Sequence, residues 1–224
     1  EEEVSGANGI ESIIDAIGHV DVAIVGEPTQ MQMAIAERGL LVLDCKVTGA
    51  AGHVANNVGV NAIYKAMPDI DWFRTYRFEK ESAWLGAVNM NVTLINAGKA
   101  HNQVPDECTF VVDVRLNECY THAEVLDVIR QHVSCEVKER STRIKPSFIE
   151  EAHLMILAGK GIGLSAFGSS TTSDMALMPW KAVKMGPGDT KRSHSADEFI
   201  YIHEIETGIA TYIQLLNAYA KQLA

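Results

Sequence analysis

The sequence is poor in the features that would commit a chain to secretion, a membrane or nucleic acid. Its four cysteines, Cys45, Cys108, Cys119 and Cys135, form no CxxC pair, follow no framework spacing and lie in or near apolar runs. Reduced, structural thiols in a cytoplasmic protein are the reading that follows. No stretch approaches the ~18 consecutive apolar residues of a membrane span. Basic residues are outnumbered, 19 Lys and Arg against 29 Asp and Glu, for a formal net charge of −10. That balance argues against nucleic acid and anionic membrane as partners. There is no internal repeat, low-complexity tract, initiator Met or signal peptide, and the chain opens on Glu1-Glu2-Glu3 as though cut within a motif. What is present is ordinary for a globular chain that buries a core: 47% hydrophobic and 21% charged residues in 224. That length suits one large domain or two small ones.

The stretch with most to say is Asp21–Thr29, DVAIVGEPT. Val22–Val25 reads as a strand covered on both faces. Gly26 and Pro28 must end it, because Pro cannot donate to a ladder. Glu27 is thereby delivered to the C-terminal edge of a buried strand, where open α/β sheets place ligands. A solvated turn carboxylate is the simpler alternative. The run Glu1–Glu3 precedes Ile10, Ile13, Ile14 and Ile17 at helical spacing. Acidic residues suit a helix start, but crowded carboxylates raise one another's cost of ionising, which a divalent cation would relieve.

Between Gln30 and Ala36 no element is assigned, and after Glu37-Arg38-Gly39 the composition changes. Leu40–Val47, Ala87–Ala97, Cys108–Leu116 and Cys135–Arg140 read as strands. Ala55–Met67 and Thr121–Val133 read as helices, the latter with Thr121 and Glu124 as a capping box. Pro68–Trp84 shows no period. The order β-α-β-β-α-β is the split βαβ, ferredoxin-like plan, here inserted into an α/β domain. Residues 1–37 and 144–224 are assigned to the outer domain and 38–143 to the insert. In the outer domain Ile149–Leu164 and Ile202–Leu223 read as helices, with a strand near Ala182–Met185.

Five motifs occur in order: EE-x₅-G at Glu2–Gly9, VGEPT at Val25–Thr29, GxxGH at Gly49–His53, DVR at Asp113–Arg115, and GPG…SHSADE at Gly186–Glu198. Together they resemble the M20 family of di-zinc amidohydrolases, and most of all its acetylornithine deacetylase-like members, through GEPT, the TTSD loop and SHSADEF. The resemblance implies a mixed sheet flanked by helices, carrying an inserted ferredoxin-like dimerisation domain. It also implies two Zn²⁺ ions (Co²⁺ or Mn²⁺ as substitutes) that polarise an amide carbonyl and activate water. On this resemblance Glu2 is the general base, Glu3 and His194 are ligands of one metal, and Glu27 is a ligand of the other. His53 reaches the partner subunit's site to stabilise the oxyanion. Asn102, Arg115 and Ser173 bind substrate. Each has a plainer alternative: His194 a surface loop residue, His53 a contact with its own backbone, Arg115 a salt bridge on its strand.

The chain departs from the family in having no upstream HxD motif, so neither metal keeps the three protein ligands a catalytic zinc needs. The expectation is an N-terminally truncated catalytic domain, inactive alone and weak in zinc, with an exposed apolar edge. The implied parent removes an N-acyl group from an amino acid, as in arginine biosynthesis. An M20 dipeptidase or carboxypeptidase, or a non-catalytic dimerisation module, are the alternatives. A homodimer is expected, paired through Leu40–Val47 or the helix Ala55–Met67.

Overall fold

The computed structural model describes residues 8–223, so Glu2 and Glu3 lie outside the described residues. In chain order the elements are α1 (Ile14–Ile17), β1 (Ala23–Val25), β2 (Met33–Glu37), β3 (Gly39–Thr48), β4 (Gly52–His53) and α2 (Ala62–Thr75). They continue with β5 (Asn89–Ala97), β6 (Gln103–Val104), β7 (Glu107–Leu116), α3 (His122–His132), β8 (Glu136–Glu139) and β9 (Ser147–Phe148). The last are α4 (Leu154–Gly161), β10 (Ala166–Ser169), β11 (Ala182–Lys184) and α5 (Ile202–Leu223). Backbone contacts divide them into two units, one of residues up to Arg38 with Pro146 onward, the other Gly39–Lys145.

The Gly39–Lys145 unit is a four-stranded antiparallel sheet in the order β5-β7-β3-β8, the ferredoxin-like arrangement. Its long central pair obeys the two-residue period of a half-covered sheet. Leu41, Leu43, Cys45 and Val47 of β3 and Phe110, Val112, Val114 and Leu116 of β7 are buried, under Ala66 and Phe73 of α2 and Val125 and Ile129 of α3. The Thr121–Glu124 capping box closes the start of α3 in both directions. Because β3 lies between β7 and β8, its backbone is paired on both sides. Leu40–Val47 therefore offers no open edge to a partner chain, and β5 is an outer strand instead.

The helix read from sequence as Ala55–Met67 is displaced. Residues Val54–Asn56 form a 3-10 turn, and α2 runs from Ala62 to Thr75, straight through Pro68. Asn61 starts it, its Oδ1 accepting from Ile63 N at 2.9 Å and Tyr64 N at 3.4 Å. An interior proline costs about 3 kcal/mol, but Pro68 sits on the solvent side, where the orphaned carbonyl can meet water. On the opposite side Ala66, Asp69 and Phe73 are buried. Asp69 accepts from Ser134 N (3.0 Å), Ser134 Oγ and Cys135 N (2.9 Å), so it ties the second half of α2 to the chain entering β8. Tertiary burial outweighs the local penalty.

The other unit is a mixed sheet in the order β1-β11-β2-β10, with β9 also paired to β2. β1 and β11 are parallel, as are β2 and β10, whereas β11 and β9 run antiparallel to β2. β2, Met-Ala-Ile-Ala-Glu, is buried at every position, yet no strand was expected there. Alanine carries little strand preference, so only its neighbours define it. The Ile149–Leu164 helix is likewise shorter than its apolar run. β9 and Ile149, whose N–H donates to Ile35 O at 2.9 Å, extend the sheet first. His153 then caps α4, which ends at Gly161. α5 spans the full Ile202–Leu223 range expected. Among the described residues no helix is long and apolar enough to cross a membrane.

Replacing Asp69 by Ala strands the Ser134 and Cys135 amides in a partly buried site, at an expected cost of about 2–4 kcal/mol in urea unfolding. Asp71→Ala, which removes an exposed pair with Arg74, should cost under about 1 kcal/mol.

Candidate active site

The ends of β1 and β11 are the part of the sheet where two motif loops meet. Because these strands are parallel neighbours, VGEPT and GPGD leave the sheet at the same edge. They are then bound to each other. Met185 N donates to Val25 O (2.9 Å), Thr29 N and Met31 N donate to Gly186 O (3.1 and 2.9 Å), and Gln30 N donates to Gly188 O (2.8 Å). The Thr29 hydroxyl donates to Gln32 O at 2.7 Å and accepts from Gly186 N at 3.1 Å. A side chain at Gly186 would place its Cβ 2.6 Å from Glu27 O, so only glycine permits this approach. Gln30 and Met31 both carry positive φ (54° and 60°), a tight turn that non-glycine residues adopt at a cost of about 1–2 kcal/mol each. The inter-loop bonds hold that turn, and with it the exposed carboxylate Glu27.

Glu27 borders a cavity of about 190 Å³ whose wall includes Thr29, Gln30, Lys184 and Asp189. Behind it lies a pair of buried charges that the sequence reading did not single out. Glu37, at the end of β2, and Lys184, at the end of β11, are both fully buried, with Nζ 2.6 Å from Oε1. Lys184 also donates to Ser169 Oγ (2.8 Å), Thr171 Oγ1 (2.9 Å) and Thr171 O (3.2 Å). Glu37 accepts from Ser173 N (3.0 Å) and Ser173 Oγ (2.9 Å). The available signal was a lysine inside the apolar run Ala182–Met185, since a charge at a covered strand position needs a partner. Ser173, expected to bind substrate, spends its hydroxyl on Glu37 and on capping Met175 N. In this structure it orders its loop.

His194 follows a 3-10 turn, Thr190–Arg192, and itself takes positive φ (57°). Its N–H donates to Glu198 Oε2 at 3.0 Å. The loop is pinned by Arg192, which pairs with Glu204 in the first turn of α5 and stacks on Phe199 and Tyr201, at 4.9 and 5.2 Å from the ring centres. Glu204 also accepts from Tyr201 N at 2.9 Å. The Arg192 hydrogen bond, followed by that from Tyr201, holds the Glu204 carboxyl below the ordinary glutamate value.

In the Gly39–Lys145 unit, the GxxGH loop is shaped by close backbone contacts. Added Cβ atoms at Gly49 and Gly52 would each lie 2.1 Å from a carbonyl oxygen, of Val60 and Val58. His53 pairs with Gln103 in the β4–β6 ladder, and Val54 N donates to Asn102 O at 3.1 Å, so His53 and Asn102 share one corner. His53 Nδ1 accepts from Ala55 N at 3.2 Å, the contact with its own backbone that was its plainer alternative. Arg115 makes a two-pronged pair with Asp113, at 2.7 and 3.0 Å, two residues back on the same face of β7. A substrate carboxylate would have to compete with that aspartate.

Among the described residues no three His, Cys, Asp or Glu side chains group closely enough to hold a metal ion. A catalytic zinc takes three protein ligands, so the described donors do not complete a centre.

Three comparisons bear on this arrangement. The peptidase dimerisation domain model of the M20 family matches residues 35–141. The acetylornithine deacetylase of Myxococcus xanthus is 26% identical over 227 residues, covering 92% of this chain and 59% of its own length. That of Yersinia pestis is 26% identical, covering 90% of this chain and 57% of its own. Among solved structures, a Staphylococcus aureus tripeptidase (TM-score 0.74, 16% identity) covers 98% of this chain and 62% of its own. A dinuclear metal-binding M20 peptidase from Bacillus subtilis (TM-score 0.67, 14% identity) also covers 98% and 62%. The chain thus has the fold of M20 peptidases with their dimerisation domain, and spans less than two thirds of these relatives.

Lys184→Met should destabilise the chain by about 3–5 kcal/mol in urea unfolding, because it leaves the Glu37 carboxylate buried and unpaired. Glu37→Leu with Lys184→Met should cost clearly less than the two single changes summed. The Arg192–Glu204 contact has its own pH signature. A depressed carboxyl pKa contributes stability above the unfolded glutamate value of about 4.3, and loses it as pH falls through the lower folded value. The backbone amide resonances of Phe199 and Tyr201, which do not themselves titrate, should therefore report a closed loop from neutral pH down to the unfolded glutamate value, with opening only as pH falls further, through the lowered Glu204 value. Arg192→Met should open the loop across that whole range.

Proposed function

We propose that this chain, which carries the M20 dimerisation domain within an M20 peptidase fold, contributes one part of a metal-dependent amide hydrolase. In this reading the whole protein removes an N-acyl group from an amino acid, as acetylornithine deacetylases do. The observation that carries it is the joining of the Glu27 loop to the GPGD segment, which leads on to His194, at one edge of the sheet. A carboxylate and an imidazole are donors that zinc, cobalt or manganese accept. We assign Glu27 to one metal and His194 with Glu3 to the other, with Glu2 as general base. His53 serves as a donor to the developing oxyanion in the partner subunit's site, and Asn102 as a donor to substrate or oxyanion. Arg115 would exchange Asp113 for the substrate carboxylate, a swap its planar fork allows. The peptidase titles among the structural neighbours support the alternative of a dipeptidase or carboxypeptidase on the same site.

The same reading makes the protein a homodimer through the Gly39–Lys145 unit. The outer strand β5 and helix α2 suit that role, since Leu94, Ile95, Tyr64 and Met67 are all exposed there. It places the enzyme in the cytoplasm, where the four cysteines, none in a disulfide, would remain reduced.

Calorimetric titration with zinc should show weak binding to this chain, falling about tenfold or more in Glu27→Gln and in His194→Asn, a residue that tolerates positive φ. Two tight sites in this chain, or indifference to both substitutions, would remove the ligand assignment. For the whole protein, faster hydrolysis of N-acetylornithine than of glycine dipeptides is expected. The reverse preference makes it a peptidase.

A further inference from the structure

The cavity beside Glu27 has a wall whose hydroxyl protons can be accounted for one by one. Lys184 Nζ has three close acceptors: Glu37 Oε1 at 2.6 Å, Ser169 Oγ at 2.8 Å and Thr171 Oγ1 at 2.9 Å. Those match the three protons of an ammonium, which has no lone pair to accept with, so both hydroxyl oxygens receive from it. Ser169 Oγ also receives from Thr171 N at 3.3 Å, which fills its second lone pair. It cannot then accept from the Thr171 hydroxyl as well. Its own proton has two acceptors, both on Thr171: Oγ1 at 3.0 Å and the carbonyl oxygen at 3.2 Å. In either case Ser169 donates and the Thr171 hydroxyl proton is left over. Among the described residues no protein atom accepts it.

That proton borders the cavity, because Thr171 lines it together with Phe167 and Thr190. A hydroxyl that accepts from an ammonium is polarised and becomes a stronger donor than an isolated one. The loop that carries it is tied at alternate residues, Ser169 and Thr171 to Lys184 and Ser173 to Glu37. Glu37 offsets the charge of Lys184, so this wall presents a sharpened donor rather than a bare cation. Elsewhere in the lining Lys191 is outnumbered by Glu27 and Asp189. Two carboxylates disfavour an anionic ligand and leave an uncharged oxygen as the acceptor that fits.

We infer that Thr171 is a specificity-determining residue whose hydroxyl donates to an uncharged carbonyl oxygen of the substrate, with Lys184 and Glu37 as its positioning residues. That the carbonyl belongs to an acylated amino acid rests on the hydrolase reading above. The count of donors and acceptors around Lys184 stands without it.

The test titrates N-acetylglycinamide, which is uncharged, into the isotope-labelled chain and follows the backbone amide resonances of residues 169–173. A parallel titration uses the thioacetyl analogue, whose sulfur is a weak acceptor. The resonances should saturate, with the oxygen ligand bound about tenfold more tightly than the sulfur one. Thr171→Val keeps the side-chain shape and leaves Lys184 the Thr171 carbonyl at 3.2 Å as a third acceptor. It should abolish the preference for oxygen, and Thr171→Ser should retain it. Glu37→Leu with Lys184→Met keeps the hydroxyl without its polarising partner, and the preference should shrink to about threefold or less. Lys184→Gln serves if circular dichroism shows that double variant unfolded. No saturable shift, or an oxygen preference that survives Thr171→Val, overturns the inference. A preference lost equally in Thr171→Ser also overturns it, and a full preference in the double variant removes the positioning role. In the whole protein, Thr171→Val should raise KM for N-acetylornithine about tenfold with kcat little changed. Hydrolysis with an unchanged KM discards the Thr171 donor and keeps the hydrolase reading. Thr171-dependent binding in a protein that hydrolyses neither N-acetylornithine nor dipeptides keeps the donor and discards that reading.

Discussion

The candidate site depends on a lysine and a glutamate buried side by side. With Glu37 and Lys184 both buried and 2.6 Å apart, each charge is tolerable only because the other is present and the remaining hydrogen-bonding capacity is used. Ser169, Thr171 and Ser173 supply that capacity. The consequence is geometric. β11 meets β2 through a single ladder pairing, Lys184 with Ala34, and the ion pair reinforces this narrow contact between the two parallel halves of the sheet. A hydrophobic pair could fill the same volume, but it would not order the serine- and threonine-rich loop beside the cavity.

From that anchor the loop geometry follows by close approach rather than by area buried. Gly186 lets the GPGD backbone lie against Glu27, and Thr29 bonds in both directions to lock the left-handed turn at Gln30 and Met31. His194 is held differently, by Arg192 clasped between Glu204 and two aromatic rings. Both positions store backbone strain, which persists only where the surroundings over-determine it. In the Gly39–Lys145 unit, Gly49 and Gly52 do for the His53 loop what Gly186 does for Glu27. The motifs that drew attention in sequence are therefore largely rules of backbone approach. Their glycines and threonine shape the site, and the acid and imidazole residues occupy what they shape.

Some elements were legible because their causes are local. The alternation of β3 and β7, the Thr121–Glu124 box of α3 and the long apolar period of α5 are all set by residues within a few positions of one another. Others were not. β2 reads as nothing in particular, because two alanines and a methionine become a strand only when strands from elsewhere in the chain lie beside them. α2 crosses Pro68, against local preference, since Asp69 and Phe73 on its other side are bound into the core. Ile149 looks like the start of a helix and is instead the tail of a strand bonded to Ile35.

The site divides along the same line. The family resemblance nominated Glu27, His53, Asn102 and His194, while the sequence itself placed Glu27 at the end of a strand, because a Gly-Glu-Pro stop ends a short apolar run there. Only the tertiary structure could decide which loop lies against which, that Ser173 serves Glu37, that Arg115 is held by Asp113, and that a lysine within an apolar strand is paired with a glutamate. Those outcomes hang on contacts between residues distant in sequence, such as Glu37 with Lys184 and Thr29 with Gly186. A chain read in order carries the chemistry of each partner but not the register that brings the two together.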